Sequence, residues 1–136
     1  MSNLNRLEKT VMQAFLHGDE PRLSILREQF ERLDVAKREF TDAGFSTTFT
    51  VAPETQRLPG NRSFNLADVL ANIAALKMGA GFVLFVRDGL LHMLEGYSYG
   101  DESWPREITR FDVGYLVENK MAKERDMKAL RKDLGG

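Results

Sequence analysis

Gly96-Tyr97-Ser98-Tyr99-Gly100 matches G-x-S-x-G, the pattern with which hydrolases raise a serine nucleophile on a sharp strand-to-helix turn. Acyl transfer at Ser98 would need an acid and then a histidine later in the chain. Both histidines, His17 and His92, precede the serine, and Pro105 and polar residues follow Gly100 where the motif demands an amphipathic helix. A sheet of the α/β-hydrolase kind also needs a chain much longer than 136 residues. Ser98 therefore reads as the end of a glycine-punctuated strand, and no catalytic residue is assigned.

Metal and phosphate chemistry find equally little. With two histidines and no cysteine, only hard-cation sites remain, and Asp101-Glu102 lacks the alternating ligand spacing of a calcium loop. Gly79-Ala80-Gly81 is followed by no lysine, third glycine or helix that would make it a phosphate loop. No metal and no cofactor is expected. His17 is read as satisfying the carbonyl end of the first helix, and His92 as a packed sheet residue.

Glu95 is the most informative polar residue. Asp88-Gly89 supplies the positive φ angles of a type I′ turn, so FVLFVR and LLHMLE make a hairpin in which Val86 faces Leu91, Leu84 faces Met93 and Phe82 faces Glu95. That register puts Glu95 on the phase of apolar neighbours, partly desolvated. Two roles follow. Glu95, Tyr97, Tyr99 and Trp104 could wall a recognition pocket beside the acidic turn Asp101-Glu102, since aromatics join apolar area to hydrogen-bonding tips. Alternatively, Glu95 anchors the YSYGDESWP loop by accepting backbone or indole N–H bonds.

The placement of these groups depends on the elements around them. Leu4, Leu7, Val11 and Phe15 recur at helical spacing after Asn3, an N-cap type, and Gly18 closes the helix. Asp19 and Pro21 open a second helix with Leu23, Leu26, Phe30 and Leu33 as its stripe. VAKREF and the alternating run Phe45 to Val51 form strands reversed at Asp42-Ala43-Gly44. Residues 52 to 63 make the longest and least constrained loop. FNLADVLANIAALK fits a helix, or a bulged strand with Phe64 and Leu66 on one phase and Val69, Ala71 and Ile73 on the other. Phe111, Val113 and Tyr115 alternate in a last strand, and a charged helix with Met127, Leu130 and Leu134 runs from Glu118. The whole is one α+β domain over residues 1–117: an N-terminal helical hairpin packed on a mainly antiparallel sheet. Residues 118–136 form a charged C-terminal helix or tail of the same domain.

REFTDAGF (38–45) and GAGFVLFVRDGLLHMLEGYSYGDESWP (79–105) resemble the REFTGxGF and GAGFxLFxxDGxLxMLEGYTYxExWP motifs of a small uncharacterised bacterial protein family. The resemblance implies a shared fold, with residues 64–77 as strand, and no activity. Ala43 stands in place of a glycine, and Ser98 where threonine is common, an exchange that argues against a nucleophile at this position.

A net charge of -1 supplies no long-range attraction for phosphate, and the basic excess from Glu118 onward is only two, so no nucleic-acid partner is expected. The start, MSNLNRLEKT, has no apolar leader, and no apolar run approaches a bilayer span, so the cytoplasm is expected and no membrane. These features favour a non-catalytic binding protein, in one version an immunity-like neutraliser of a bacterial toxin acting through Glu95 to Trp104. The alternative is a small-ligand domain or enzyme with Glu95 as general acid or base. Because both faces of the hairpin are apolar, a homodimer through the C-terminal strand and helix is expected as well.

Overall fold

The structure, a computed structural model, describes residues 3–135. Helix α1 (Arg6–Phe15) opens on a reciprocal cap. The Asn5 side chain accepts from the Glu8 N–H at 2.8 Å, and the Glu8 carboxylate accepts from the Asn5 N–H at 2.9 Å. Asn5 is thus the cap, not Asn3. Helix α2 (Pro21–Phe30) has Pro21 in its first turn as expected, but the side chain of Glu20, not of Asp19, accepts from the Arg22 N–H.

Seven strands follow: β1 (Leu33–Phe40), β2 (Gly44–Val51), β3 (Phe64–Ile73), β4 (Ala80–Arg87), β5 (Leu90–Ser98), β6 (Phe111–Val117) and β7 (Lys120–Ala122). They form one sheet in the order β1-β2-β5-β4-β3-β6-β7, with every neighbouring pair antiparallel. The architecture is α+β. Residues 64–73 are strand, and a bulge between Leu66 and Val69 resets the phase so that Leu66, Val69, Ala71 and Ile73 are all buried.

Helices α1, α2 and α3 (Met127–Asp133) join one apolar cluster on a single face of the sheet. Leu7, Val11, Phe15, Leu23, Leu26, Leu130 and Leu134 meet Phe82, Leu84, Val86, Leu91 and Leu94 there. The C-terminal helix is charged, as expected, but starts later than Glu118. Glu118 and Asn119, both at positive φ, instead turn β6 into β7. With Leu130 and Leu134 buried inside the chain, α3 covers the same face as the helical hairpin. Among the described residues, no helix packs on the other face of the sheet.

Two local expectations change. Residues 52–63 are held as a strap across the tip of the β4–β5 hairpin: Leu58 N donates to Gly89 O at 3.0 Å, Gly89 N to Arg62 O at 2.7 Å, and Asp88 N to Ser63 Oγ at 2.9 Å. Gln29, fully buried on α2, completes the hold, its Nε2 donating to Gln56 O and Gly89 O while its Oε1 accepts from Leu91 N. The carbonyl end of α1 is served by two arginines instead of the His17 side chain. Arg27 Nη1 donates to Leu16 O and Gly18 O. Arg125 Nη1 donates to Phe15 O and His17 O, while its Nε and Nη2 hold Asp68 at 2.7 and 3.0 Å. A guanidinium carries five donors in a planar fork, so one side chain can serve several carbonyls and a carboxylate at once. Among the described residues, no helix is long and apolar enough to cross a membrane.

Candidate functional site

The register of β5 decides where the candidate residues point. Val86 opposes Leu91, but the next pair is Phe85 with Met93, so His92 is an extra, exposed residue at a bulge and not a packed one. Beyond it every pairing moves by one from the expected ladder: Leu94 faces Leu84, Glu95 faces Val83 and Gly96 faces Phe82. Leu94, Gly96 and Ser98 therefore turn to the helices. Met93, Glu95 and Tyr97 turn to the open face, each half-buried.

On that face Glu95 lies between Ser46 of β2 and Val83 of β4, and among the described residues it accepts no hydrogen bond and forms no ion pair. The Tyr97 and Tyr99 rings meet edge to face at 5.5 Å over Gly81, where a Cβ would stand 2.5 and 2.7 Å from the Tyr99 and Tyr97 hydroxyls. Burial, and then the neighbouring Tyr97 hydroxyl, push the Tyr99 phenol up to about 12, so at neutral pH it is a hydrogen-bond donor. Phe85 carries the Arg87 guanidinium 5.2 Å above its ring.

The loop after β5 is anchored by Glu102 and not by Glu95. Its Oε1 accepts from Lys77 N at 2.9 Å and its Oε2 from Met78 N at 3.0 Å, and these two bonds hold the carboxyl below its ordinary range. Ser98, 7% exposed, donates its single hydroxyl proton to Glu102 O, the nearer of two carbonyls, with Ala43 O beside it at 3.3 Å. Asp101 is exposed, with no side-chain partner among the described residues. Trp104 lies on the helical side, its ring 5.3 Å from that of Phe45. The structure thus gathers Glu95, Tyr97 and Tyr99 on one face and places Trp104 on the other. Ser98→Ala should keep the fold at a cost of about 1 kcal/mol, the worth of the lost bond. Urea unfolding measures that loss, and stoichiometric labelling of native protein by a serine-directed phosphonate would contradict the structural role.

Sequence reasoning missed a buried charge pair behind Phe45. Glu8 is wholly buried and accepts from Arg38 Nε at 2.9 Å, Arg38 Nη2 at 2.6 Å and the Thr47 hydroxyl; its carboxylate raises the affinity of Arg38 for its proton. The signal was present: Glu8 lies three residues after Asn5, at capping-box spacing, and beside Leu7 and Val11 on the apolar stripe. Cavities open among the described residues of the covered side. One of about 760 Å³ has Leu16, Phe30, Tyr115 and Met127 in its walls, with Arg27 and Arg125 already bonded to α1 carbonyls. Another, of about 210 Å³, is lined by Trp104 and Arg38 among others. Glu95 lines neither. Comparison with protein-family models, curated proteins and solved structures gives no match.

Proposed function

We propose that the chain is a binding protein whose open sheet face docks another protein, and that this partner places a lysine or arginine on Glu95. The observation that carries the reading is Glu95 itself, a half-buried carboxylate with no donor among the described residues. Partial burial costs a charge hydration that nothing among the described residues returns, and a partner cation would return it. Around it, Met93, Val83 and Phe85 offer apolar area, while Tyr97 and Tyr99 are of the type that dominates binding energy at interface centres. An immunity-like role, occluding a bacterial toxin, is one form of this function. General acid or base catalysis by Glu95 has weaker support, because the carboxylate sits on an open sheet face and lines neither cavity.

A photo-crosslinking amino acid at Met93, introduced in the native cells, would capture the occupant of the face for titration against the purified chain. Glu95→Gln and Tyr97→Ala should each weaken that complex by about tenfold or more, since every 1.4 kcal/mol is a factor of ten. A captured protein whose affinity ignores both substitutions would refute the docking face. Capture of a second copy would replace the foreign partner with a homodimer.

A further inference from the structure

The two stretches that stood out in the sequence meet on the covered side of the sheet, away from Glu95. Arg38, Phe40 and Phe45 from the first and Trp104 from the second line the cavity of about 210 Å³, with Arg6 and Arg106 completing its charged wall. No aspartate or glutamate lines it, in a chain whose net charge is -1. Glu8 behind the wall neutralises Arg38, but Arg6 and Arg106 have no carboxylate partner among the described residues, so the wall keeps an excess of positive charge.

Each arginine has donors to spare. Arg38 is fixed by Glu8 through Nε and Nη2, with Nη2 also donating to Asn3 O, which leaves Nη1 without a partner among the described residues. Arg6 lies 4.5 Å over the Phe111 ring and donates one Nη to Thr109 O. Arg106 is exposed and has no partner among the described residues. The aromatic wall is equally unfinished. Phe40 is 67% exposed, its ring 6.5 Å from that of Phe45, which in turn stands 5.3 Å from the Trp104 ring. An apolar ring held in water beside two packed ones is a surface that a ligand would cover.

We infer that this cavity binds a small aromatic acid, one ring against Phe40 and Trp104 and one anionic group among the guanidiniums of Arg6, Arg38 and Arg106. Guanidinium suits both parts of such a ligand, because its planar fork pairs with carboxylate or phosphate oxygens and its face stacks on rings. Size narrows the choice: 210 Å³ lies below the range of roughly 300–1,000 Å³ of drug-sized sites, which restricts the ligand to a single ring with a short acidic group.

Trp104 is the only tryptophan of the chain and lines this cavity, so its emission reports on binding there. The probes are benzoate and phenyl phosphate, with benzyl alcohol and acetate as the ring and the charge taken separately. Benzoate or phenyl phosphate should change the emission saturably with a dissociation constant below about 1 mM, and the two separated halves should bind about tenfold more weakly or worse. The better of the two acids identifies the anionic group. Arg106→Gln and Phe40→Ala alter exposed side chains and should leave the fold intact, yet each should weaken binding about five- to tenfold. No saturable change at about 10 mM of either aromatic acid would overturn the site. So would acetate binding as well as benzoate, which reduces it to charge, or an affinity unaltered by Arg106→Gln.

Discussion

Glu8→Ala is expected to remove roughly 3–5 kcal/mol of stability, the usual cost of stripping one partner from a buried ion pair. The carboxylate is wholly enclosed and is the common acceptor for the Arg38 guanidinium, the Thr47 hydroxyl and the Asn5 N–H. Truncation leaves the Arg38 guanidinium, on a side chain three-quarters buried, with no counter-charge, and two further donors unmatched. Against a total of about 5–15 kcal/mol for a domain, that loss populates the unfolded state. Urea unfolding followed by Trp104 emission measures it. Glu8→Gln, which keeps the shape and one acceptor, should cost less, and Glu8→Leu combined with Arg38→Met should recover much of the stability that Glu8→Ala loses, because no charge is then stranded. A Glu8→Ala protein within about 1 kcal/mol of the parent would show that the pair is not buried as described.

Gly44→Ala should be the next most damaging change, for a steric reason. A Cβ at Gly44 would fall well inside van der Waals contact of the Gly96 carbonyl oxygen, 2.9 Å from the carbonyl carbon and 3.0 Å from Tyr97 Cα. All of these are backbone atoms of β5, and no rotamer moves them. Strands β2 and β5 must separate, which disturbs the ladder from Gly44–Tyr97 to Thr48–Met93, including Thr47 over Glu8. A cost of at least about 3 kcal/mol follows. Gly81→Ala provides the contrast, since its Cβ would meet mainly the Tyr97 and Tyr99 hydroxyl ends, which can swing away. Its expected cost is about 1 kcal/mol. The same urea titrations compare the two, and equal losses would mean that the β2–β5 contact yields more easily than its geometry implies.

Some of this architecture was legible in residue types and some was not. Asp88-Gly89 named its hairpin because few pairs take positive φ at both positions, and they do so here at 52° and 77°. The bulge in β3 was readable because only a phase reset puts Leu66 and Val69 on one buried face. The bulge at His92 was not. LLHMLE is apolar on either phase, so a slip of one residue exchanges one apolar set for another and burial gives no penalty to detect. Glu95 inherited that ambiguity: it faces Val83 instead of Phe82 and lies on the open face, opposite the Leu91 with which it was expected to share a side. Asn3 and Asn5 are the same cap type, and what selects Asn5 is Glu8 three residues on. The partner of Glu8, Arg38, lies thirty residues further along, beyond any local pattern. Trp104 sits in a loop, where no periodicity fixes a face.

The strap across the hairpin tip has a practical corollary. A two-residue turn between long strands is ordinarily where a chain tolerates an inserted peptide, because nothing else depends on it. Here Gly89 is buried, and the turn exchanges backbone hydrogen bonds with Leu58 and Arg62 and receives donors from Gln29 and Arg57. An affinity tag or reporter domain spliced between Asp88 and Gly89 would pry apart α2, the strap and the central hairpin together. The exposed Glu118-Asn119 turn, whose side chains make no hydrogen bond among the described residues, is the internal position at which this fold can carry added sequence.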